Sequence, residues 1–540
     1  MRLSFLFSVC FLLSAFTVHA QRADNYPPQN KNVVINHTNL PIVWLEVDGA
    51  MILRDERITA RMKIIHNGDG QVNYADTVAH PGQRIDYEGY VALRYRGNSS
   101  FQHSRKPYSF RPLDKPLEEG GTKQKVKLLG MGKDNNWALL APYSDQTMVR
   151  DLLARHMARP WMEFTPDGRY CELYLDGIYY GVYILVEVVS KGKHRLNLDD
   201  PGESGDELTG GYIMEVDRYE NPVYVSSYHP MTNSGAIIPN RYIYFQYKSP
   251  DYEDMTEDQI QYIKNRIKAM EDAFASANYQ NPVTGYRQYI DVMNFIDYQL
   301  AQELAHNVDA YRLSGKFFKR RDSEDPRFKM VLWDMDLTYG IPYYHGGWQT
   351  DQWSYRLNDT LFIKGDNYLI PFWWNKLNKD PAYTAQLQER WAQYRRSNIR
   401  PERIMAVIDS LSGVLTADGA IDRNSQAWPR WGVYVWPNNY IPQNYADAIA
   451  FLKQWITQRI AWMDEQLEFD PNAHERGDVN GDGIINIGDV TALINYLLSG
   501  NASAVALEAT DCDENGIVTI GDVTALINYL LSGFWSTVSE

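Results

Sequence analysis

HNVDAYRLSGKFFKRRDSEDPRFKMVLWDMDLTYG, residues 306–340, is the stretch on which the fold turns. Just before it, residues 291–305 carry Met293, Ile296, Leu300 and Leu304 at offsets that share one helical face. A polar loop with Asp309 follows, then a short strand around Phe317 and Phe318. A charged turn, 320–327, leads into a second strand, 328–333, which ends on Asp334 and Asp336. Two acidic sites therefore flank a predicted hairpin. Phosphoryl transfer needs this kind of arrangement: one carboxylate orients or deprotonates the attacking hydroxyl, and another holds the magnesium that bridges the phosphates. Acidic residues after helices and strands are also common in turns. The Asp334-Met335-Asp336 pattern equally suits a metal-dependent glycosyltransferase. The order helix, acidic loop, hairpin, acidic strand end is that of a protein-kinase catalytic loop followed by its metal-binding loop.

Working outward, 540 residues allow two or more domains. A hydrophobic fraction of 44% suits sizeable cores, and a net charge of −15 without a basic block argues against nucleic acid as a partner. Residues 1–20 read as a signal peptide: Arg2, an apolar run, then Val18-His19-Ala20. The run is short for a membrane span and continues into polar QRADNYPPQN, so a secreted or cell-surface protein without an integral membrane segment is expected. Cys171 and Cys512 remain after cleavage, and neither a disulfide framework nor zinc-ligand spacing is present.

Residues 21–34 form a polar leader. From 41 to 94 apolar and polar residues alternate as in strands, with a turn at Asn67-Gly68-Asp69-Gly70. VALRYRGNSSF is a strand ending in a turn, where Gly97, Asn98 and Ser99 would bring backbone N–H groups near phosphates. Lys106 is the candidate cation on a nucleotide. An ordinary kinase carries that lysine on the strand before its first large helix; here that strand, 137–140, has none. The helix, expected over 146–158 with Ser144 as its cap, offers Asp151 where a kinase has glutamate. Asp176-Gly177 joins two strands as a hairpin, and Glu187 ends the second where a nucleotide-binding hinge would begin. A β-rich insertion is expected over 191–250. Helices are expected over 256–275, 387–394 and 446–467.

Beyond a polar linker, 469–476, lies a repeat. IGDVTALINYLLSG occurs at 487–500 and identically at 520–533. Each copy follows a calcium-loop pattern that concentrates oxygens in one short turn. The first offers Asp478, Asn480, Asp482, the Ile484 carbonyl, Asn486 and Asp489. The second offers Asp511, Asp513, Asn515, the Ile517 carbonyl, Thr519 and Asp522. Position twelve is Asp rather than the Glu of an EF-hand.

NVDAYRLSGKFFKRRD and KMVLWDMDLTYG, with LRYRGNSSFQHSRKPYSF, NWALLAPYSDQTMVRDLLA, CELYLDGIYYGVYILVEVV, GGYIMEVD, PFWWNKL and RWGVYVWPNNY, resemble the CotH family of atypical secreted protein kinases. The resemblance covers most of residues 35–468. It implies an α+β, two-lobed kinase-like fold, with a β-rich amino-terminal lobe over about 35–190 and a helical lobe over about 251–468. It also implies transfer of the ATP γ-phosphoryl group, with magnesium or manganese, to protein hydroxyls. Asp309 would be catalytic, and Asp334 with Asp336 would hold the metal. Ser314 stands five residues after Asp309, where a usual kinase has a metal-ligating Asn; this departure leaves a pseudokinase open. The tandem loop–helix units, 477–535, resemble a small all-α type I dockerin with two EF-hand-like repeats. That implies two bound Ca2+ and docking to a cohesin on another chain, as in polysaccharide-degrading complexes. Many dockerins have Ser-Thr late in the loop; here the pairs are Ile487-Gly488 and Ile520-Gly521.

Overall fold

The alternating stretch 41–94 forms three long strands whose inward residues, among them Val43, Leu45, Met62, Ile64, Val91 and Leu93, are fully buried. The computed structural model describes residues 25–471 and 475–535; the expected signal peptide lies outside them. The chain divides into two compact units, one built from residues up to 143 with 168–188 and 414–430, the other from 144–167, 189–413 and 431 onward.

The first unit is a seven-stranded closed barrel. Its strands are β1 (Ile42–Glu46), β2 (Ile58–Ile65), β3 (Ile85–Tyr95), β4 (Tyr108–Leu113), β5 (Trp137–Leu140), β6 (Gly168–Leu175) and β7 (Ile178–Glu187). They are ordered β1-β2-β3-β4-β5-β7-β6. The expected hairpin is β6–β7, and its turn residues Asp176 and Gly177 both have positive φ. The sequence-level expectation was a sheet-rich kinase lobe. Closure departs from it, because β1 pairs in parallel with β6 across more than a hundred residues, a contact invisible to local periodicity. The barrel wall also buries Glu172, whose carboxylate accepts from Tyr179 Oη (2.6 Å) and from the guanidinium of Arg423 (2.8 and 2.9 Å).

In the second unit, helix α1 (Arg150–Ala158) starts later than the sequence suggests. Met148 takes a left-handed backbone (φ 60°), and Asp145 rather than Ser144 receives the Arg150 amide, at 2.9 Å. Ser144 Oγ instead donates to the Trp436 carbonyl. A five-stranded antiparallel sheet follows, from β8 (Tyr212–Val216), β9 (Val223–Val225), β10 (Tyr244–Ser249), β11 (Gly315–Lys319) and β12 (Phe328–Val331), in the order β9-β10-β8-β11-β12. The stretch read as an insertion thus supplies three of its strands. The predicted hairpin is β11–β12, with Lys319 opposite Phe328. Around the sheet lie α2 (Glu257–Ala275), opened by a Thr256–Gln259 capping box, and α3 (Val292–Ala305), capped by Asp291. Farther on come α4 (Pro381–Arg396) and α5 (Tyr445–Gln466). Ile296, Leu300 and Leu304 of α3 join Ile263, Phe317, Trp374 and Trp391 in one core.

Glu271 of α2 is buried in this unit, and both its oxygens lie 2.8 Å from Ser226 Oγ. Burial pushes its pKa up to about 8, well above the usual carboxylate range. A carboxyl raised in the folded state binds more protons folded than unfolded between its two pKa values. Stability is therefore highest below the unfolded value, near 4.5, and falls as pH climbs through about 8. Glu271→Gln keeps the shape and does not titrate. It is expected to gain on the wild type by roughly 1 kcal/mol per pH unit across that window, measured by urea unfolding at stepped pH. A difference independent of pH would show that Glu271 ionises normally.

Candidate active site and calcium loops

The acidic loop after α3 is held from several sides. Glu303, in the last turn, is buried and accepts from Tyr311 Oη (2.8 Å) and from the amides of Ser354 (2.7 Å) and Tyr355 (3.0 Å). The Arg459 guanidinium of α5 binds the Glu303 carbonyl and lies 3.4 Å from its carboxylate. Burial pushes Glu303 up and Arg459 down to about 10, and their attraction opposes both shifts. His306 ends the helix with φ 43°. Burial, reinforced by the Arg459 cation, holds its pKa well below the ordinary histidine value. The ring is therefore neutral, with Nε2 donating to the Gly346 carbonyl (3.2 Å) and Nδ1 accepting from Ser354 Oγ (3.0 Å).

Asp309 follows. Its amide donates to Asn307 Oδ1 (3.0 Å), and its Oδ1 accepts from Arg312 Nη2 (2.7 Å). Five residues on, Ser314 Oγ donates to Asp334 Oδ2 at 2.9 Å. So Ser314, at the entry to β11, meets Asp334, just past the end of β12. His306, Tyr311, Ser314, Asp334 and Tyr339 all have left-handed backbones, with φ between 43° and 71°. Non-glycine residues adopt such conformations infrequently, and they persist only where surrounding contacts over-determine them.

Asp336 sits among four further carboxylates. Burial first, then Asp334, Asp151, Asp309 and Asp145, push its pKa well above the usual carboxylate range. Three of these neighbours have cations of their own: Asp145 pairs with Arg150 (2.6 Å), Asp151 with Arg155 (2.5 Å) and Asp309 with Arg312. Asp336 has none among the described residues, and a divalent cation is what such crowded oxygens favour. The oxygens of Asp334, Asp336 and Ser314 suit magnesium. Helix α1 braces this segment, because Asp151 Oδ2 accepts the Met335 amide (3.4 Å) and Arg150 Nε reaches the Tyr339 carbonyl (3.3 Å). From sequence alone, Asp151 only stands where a kinase has glutamate. The roles of Asp145, Arg150 and Arg312 were missed. The spacing of Asp145 and Arg150 within APYSDQTMVRD was the available signal.

The expected nucleotide residues lie on the first unit. Gly97 has φ 86°, and a Cβ there would fall 1.9 Å from Ser100 Oγ, so the turn requires glycine. Asn98 accepts from Arg54, and Ser99 precedes the short helix Ser100–Gln102. Lys106 Nζ donates to the Phe101 carbonyl and lies over the rings of Tyr26 and Phe101; burial lowers its pKa. Glu187 Oε1 accepts the Gly132 amide at 3.1 Å.

The model of the CotH kinase protein family matches residues 93–463, more than half of the chain. The chain belongs to that family. The match spans the acidic loop, the hairpin and the Asp334–Asp336 segment of this CotH chain. A second family model, the type I dockerin domain, matches residues 476–531. No curated protein matches the chain. Among the described residues no single helix is long and apolar enough to cross a membrane.

In the dockerin of this CotH protein, each loop precedes one of two identical helices, α6 (Ile487–Ser499) or α7 (Ile520–Ser532). (These helices follow α5 in the chain.) Asn486 and Thr519 are their N-caps, and Asp489 and Asp522 complete the capping boxes. Those two aspartates also close the loops: Asp489 accepts the amides of Asn480 (3.0 Å) and Asn486 (2.8 Å), and Asp522 those of Asp513 (3.0 Å) and Thr519 (2.6 Å). Gly483 and Gly516 both turn at φ 82°. Asp478 Oδ1 is buried without a hydrogen-bond partner among the described residues. In the second loop, oxygens of Asp511, Asp513 and Asp522 lie within 4.8 Å of one another. The donor sets, hard oxygens with one orphaned and buried, fit calcium.

With crowded carboxylates around a core of about seven buried side chains, Val479 to Leu526, this module is expected to depend on a bound ion for its folding. In the full chain, chelator is expected to abolish amide-exchange protection in 487–499 and 520–532 while leaving α3 and β11 protected. Asp489→Ala and Asp522→Ala are each expected to remove one calcium equivalent by calorimetry. Undiminished protection in excess chelator would show that the loops hold without metal.

Proposed function

We propose that this CotH protein is a secreted kinase that transfers the ATP γ-phosphoryl group to hydroxyls of protein substrates, tethered through its dockerin to a cohesin-bearing partner. The observation that carries the reading is the 2.9 Å hydrogen bond from Ser314 to Asp334. It joins the position of the usual metal-ligating Asn to Asp334, the proposed metal ligand, on the same unit as Asp309. In this reading Asp309 accepts the proton of the acceptor hydroxyl. Asp334 and Ser314 offer oxygens to magnesium or manganese, and Asp336 assists. The metal, when bound, neutralises charge on the β- and γ-phosphates, and positioning supplies most of the rate. Gly97, Asn98, Ser99, Lys106 and Glu187 are proposed to contact the nucleotide. Ile487 and Ile520 are 70% and 69% exposed, and Leu498 and Leu531 81% and 82%. This matched pair of apolar surfaces supports docking to another protein.

The crowding of Asp336 against Asp334 also favours a second reading, a shared metal site for a nucleotide sugar. Purified protein with magnesium or manganese and labelled ATP, against Asp309→Ala, separates the two. Kinase action requires transfer that falls by at least about a hundredfold in the variant. Asp334→Ala is expected to weaken metal-dependent ATP binding far more than Asp336→Ala by calorimetry. Equal losses, with turnover of sugar nucleotides, would favour the glycosyltransferase. Ser314→Asn is expected to preserve or raise activity, since Asn tolerates the φ of 53° and an amide oxygen ligates magnesium better than a hydroxyl. Binding of ATP without any transfer would identify a pseudokinase.

A further inference from the structure

The acidic loop contains a guanidinium that the proposed mechanism does not use. Arg312 is 3% exposed, and each of its three nitrogens is engaged. Nε donates to the Val308 carbonyl (3.0 Å), Nη1 to Asp366 Oδ2 (3.0 Å) and the Tyr368 carbonyl (3.0 Å), and Nη2 to Asp309 Oδ1 (2.7 Å). A guanidinium is planar, so fixing Nε and Nη1 fixes the direction of Nη2. Asn307 fixes the backbone of Asp309 independently. With one oxygen committed to Arg312, the Asp309 carboxylate has a set rotation and presents its other oxygen.

From this geometry we infer that Arg312 and Asp366 are positioning residues, which orient the Asp309 carboxylate toward the acceptor hydroxyl. The inference rests on the reading of Asp309 as the group that receives the acceptor's proton. Asp366 has its own supports: the Tyr368 amide donates to Oδ1 (2.9 Å), and His345 Nε2 lies 3.6 Å from Oδ2. Contacts from His345 and Arg312 hold its pKa down to about 2 against its partial burial, so it is ionised under all ordinary conditions. Arg312 therefore lies between two carboxylates. Asp366 shares the cation, and Arg312 can orient Asp309 without wholly neutralising it. The 366–368 loop, more than fifty residues away in the chain, thereby becomes part of the site.

The test is a double-mutant cycle in the full-length protein, measuring kcat for phosphoryl transfer, calorimetric Kd for metal–ATP, and Tm. Asp366→Asn keeps the shape and the neutral contacts. It is expected to lower kcat about tenfold, and Arg312→Gln about a hundredfold, with Kd for metal–ATP unchanged. Arg312→Lys, which reaches Asp309 without the rigid fork, should recover part of the loss. In an Asp309→Ala background, Arg312→Gln should cost nothing further in residual transfer, because the residue acts only through Asp309. Equal fractional losses in both backgrounds, or a loss that follows Tm and Kd, would overturn the inference and leave Asp309 as the base. A wild-type protein whose transfer is indifferent to Asp309→Ala would overturn both readings together.

Discussion

The site depends on a single buried carboxylate. Glu303 is the point at which the end of α3, Tyr311 of the acidic loop, the 354–355 segment and Arg459 of α5 converge. A buried carboxyl of this kind is costly unless it is paired and its lone pairs are satisfied. Here both conditions hold, and the contacts tie these four pieces of chain to one another. The loop carrying Asp309 needs that constraint. Its backbone runs through left-handed conformations at His306, Tyr311 and Ser314, which no local preference would sustain.

Around this anchor the chain collects more negative charge than stability alone would favour. Arginines offset the carboxylates that brace the site, Arg150 on Asp145 and Arg155 on Asp151, while Asp336 has no cation among the described residues. The asymmetry separates Asp145 and Asp151, each neutralised by an arginine, from Asp336, the residue proposed to assist a metal. It also explains why α1 docks on the 334–339 segment through polar contacts. The helix carries the charges that flank the site, and its apolar residues Leu153 and Met157 pack into the core behind it.

Much of this was legible in the sequence. The apolar spacing of α3, the hairpin and its acidic ends are local signals, and the structure has each where the residues indicate. The doubled loop–helix unit of the dockerin was the clearest signal, since a repeat of fourteen identical residues carries its own control. What remained hidden depends on contacts distant in sequence. The parallel pairing of Ile42–Leu45 with Glu172–Leu175 closes the barrel, and no window of residues contains both strands. Arg312 and Asp366 are fifty-four positions apart. The start of α1 was misjudged for a different reason: residues 146–149 have helix-compatible side chains, but Asp145 and the backbone of Met148 hold them in a turn.

The closed barrel bears on how this protein behaves when crowded. A strand with an unpaired edge is a template on which another chain can grow, and a closed sheet offers none. The open sheet of the second unit limits the same hazard by other means. One border strand, β9, is only three residues long. The other, β12, is bridged at Phe328 by Ile290 and carries Lys329 among Glu163, Asp291 and Asp325. Both sheets are therefore poor seeds for fibrillar aggregation.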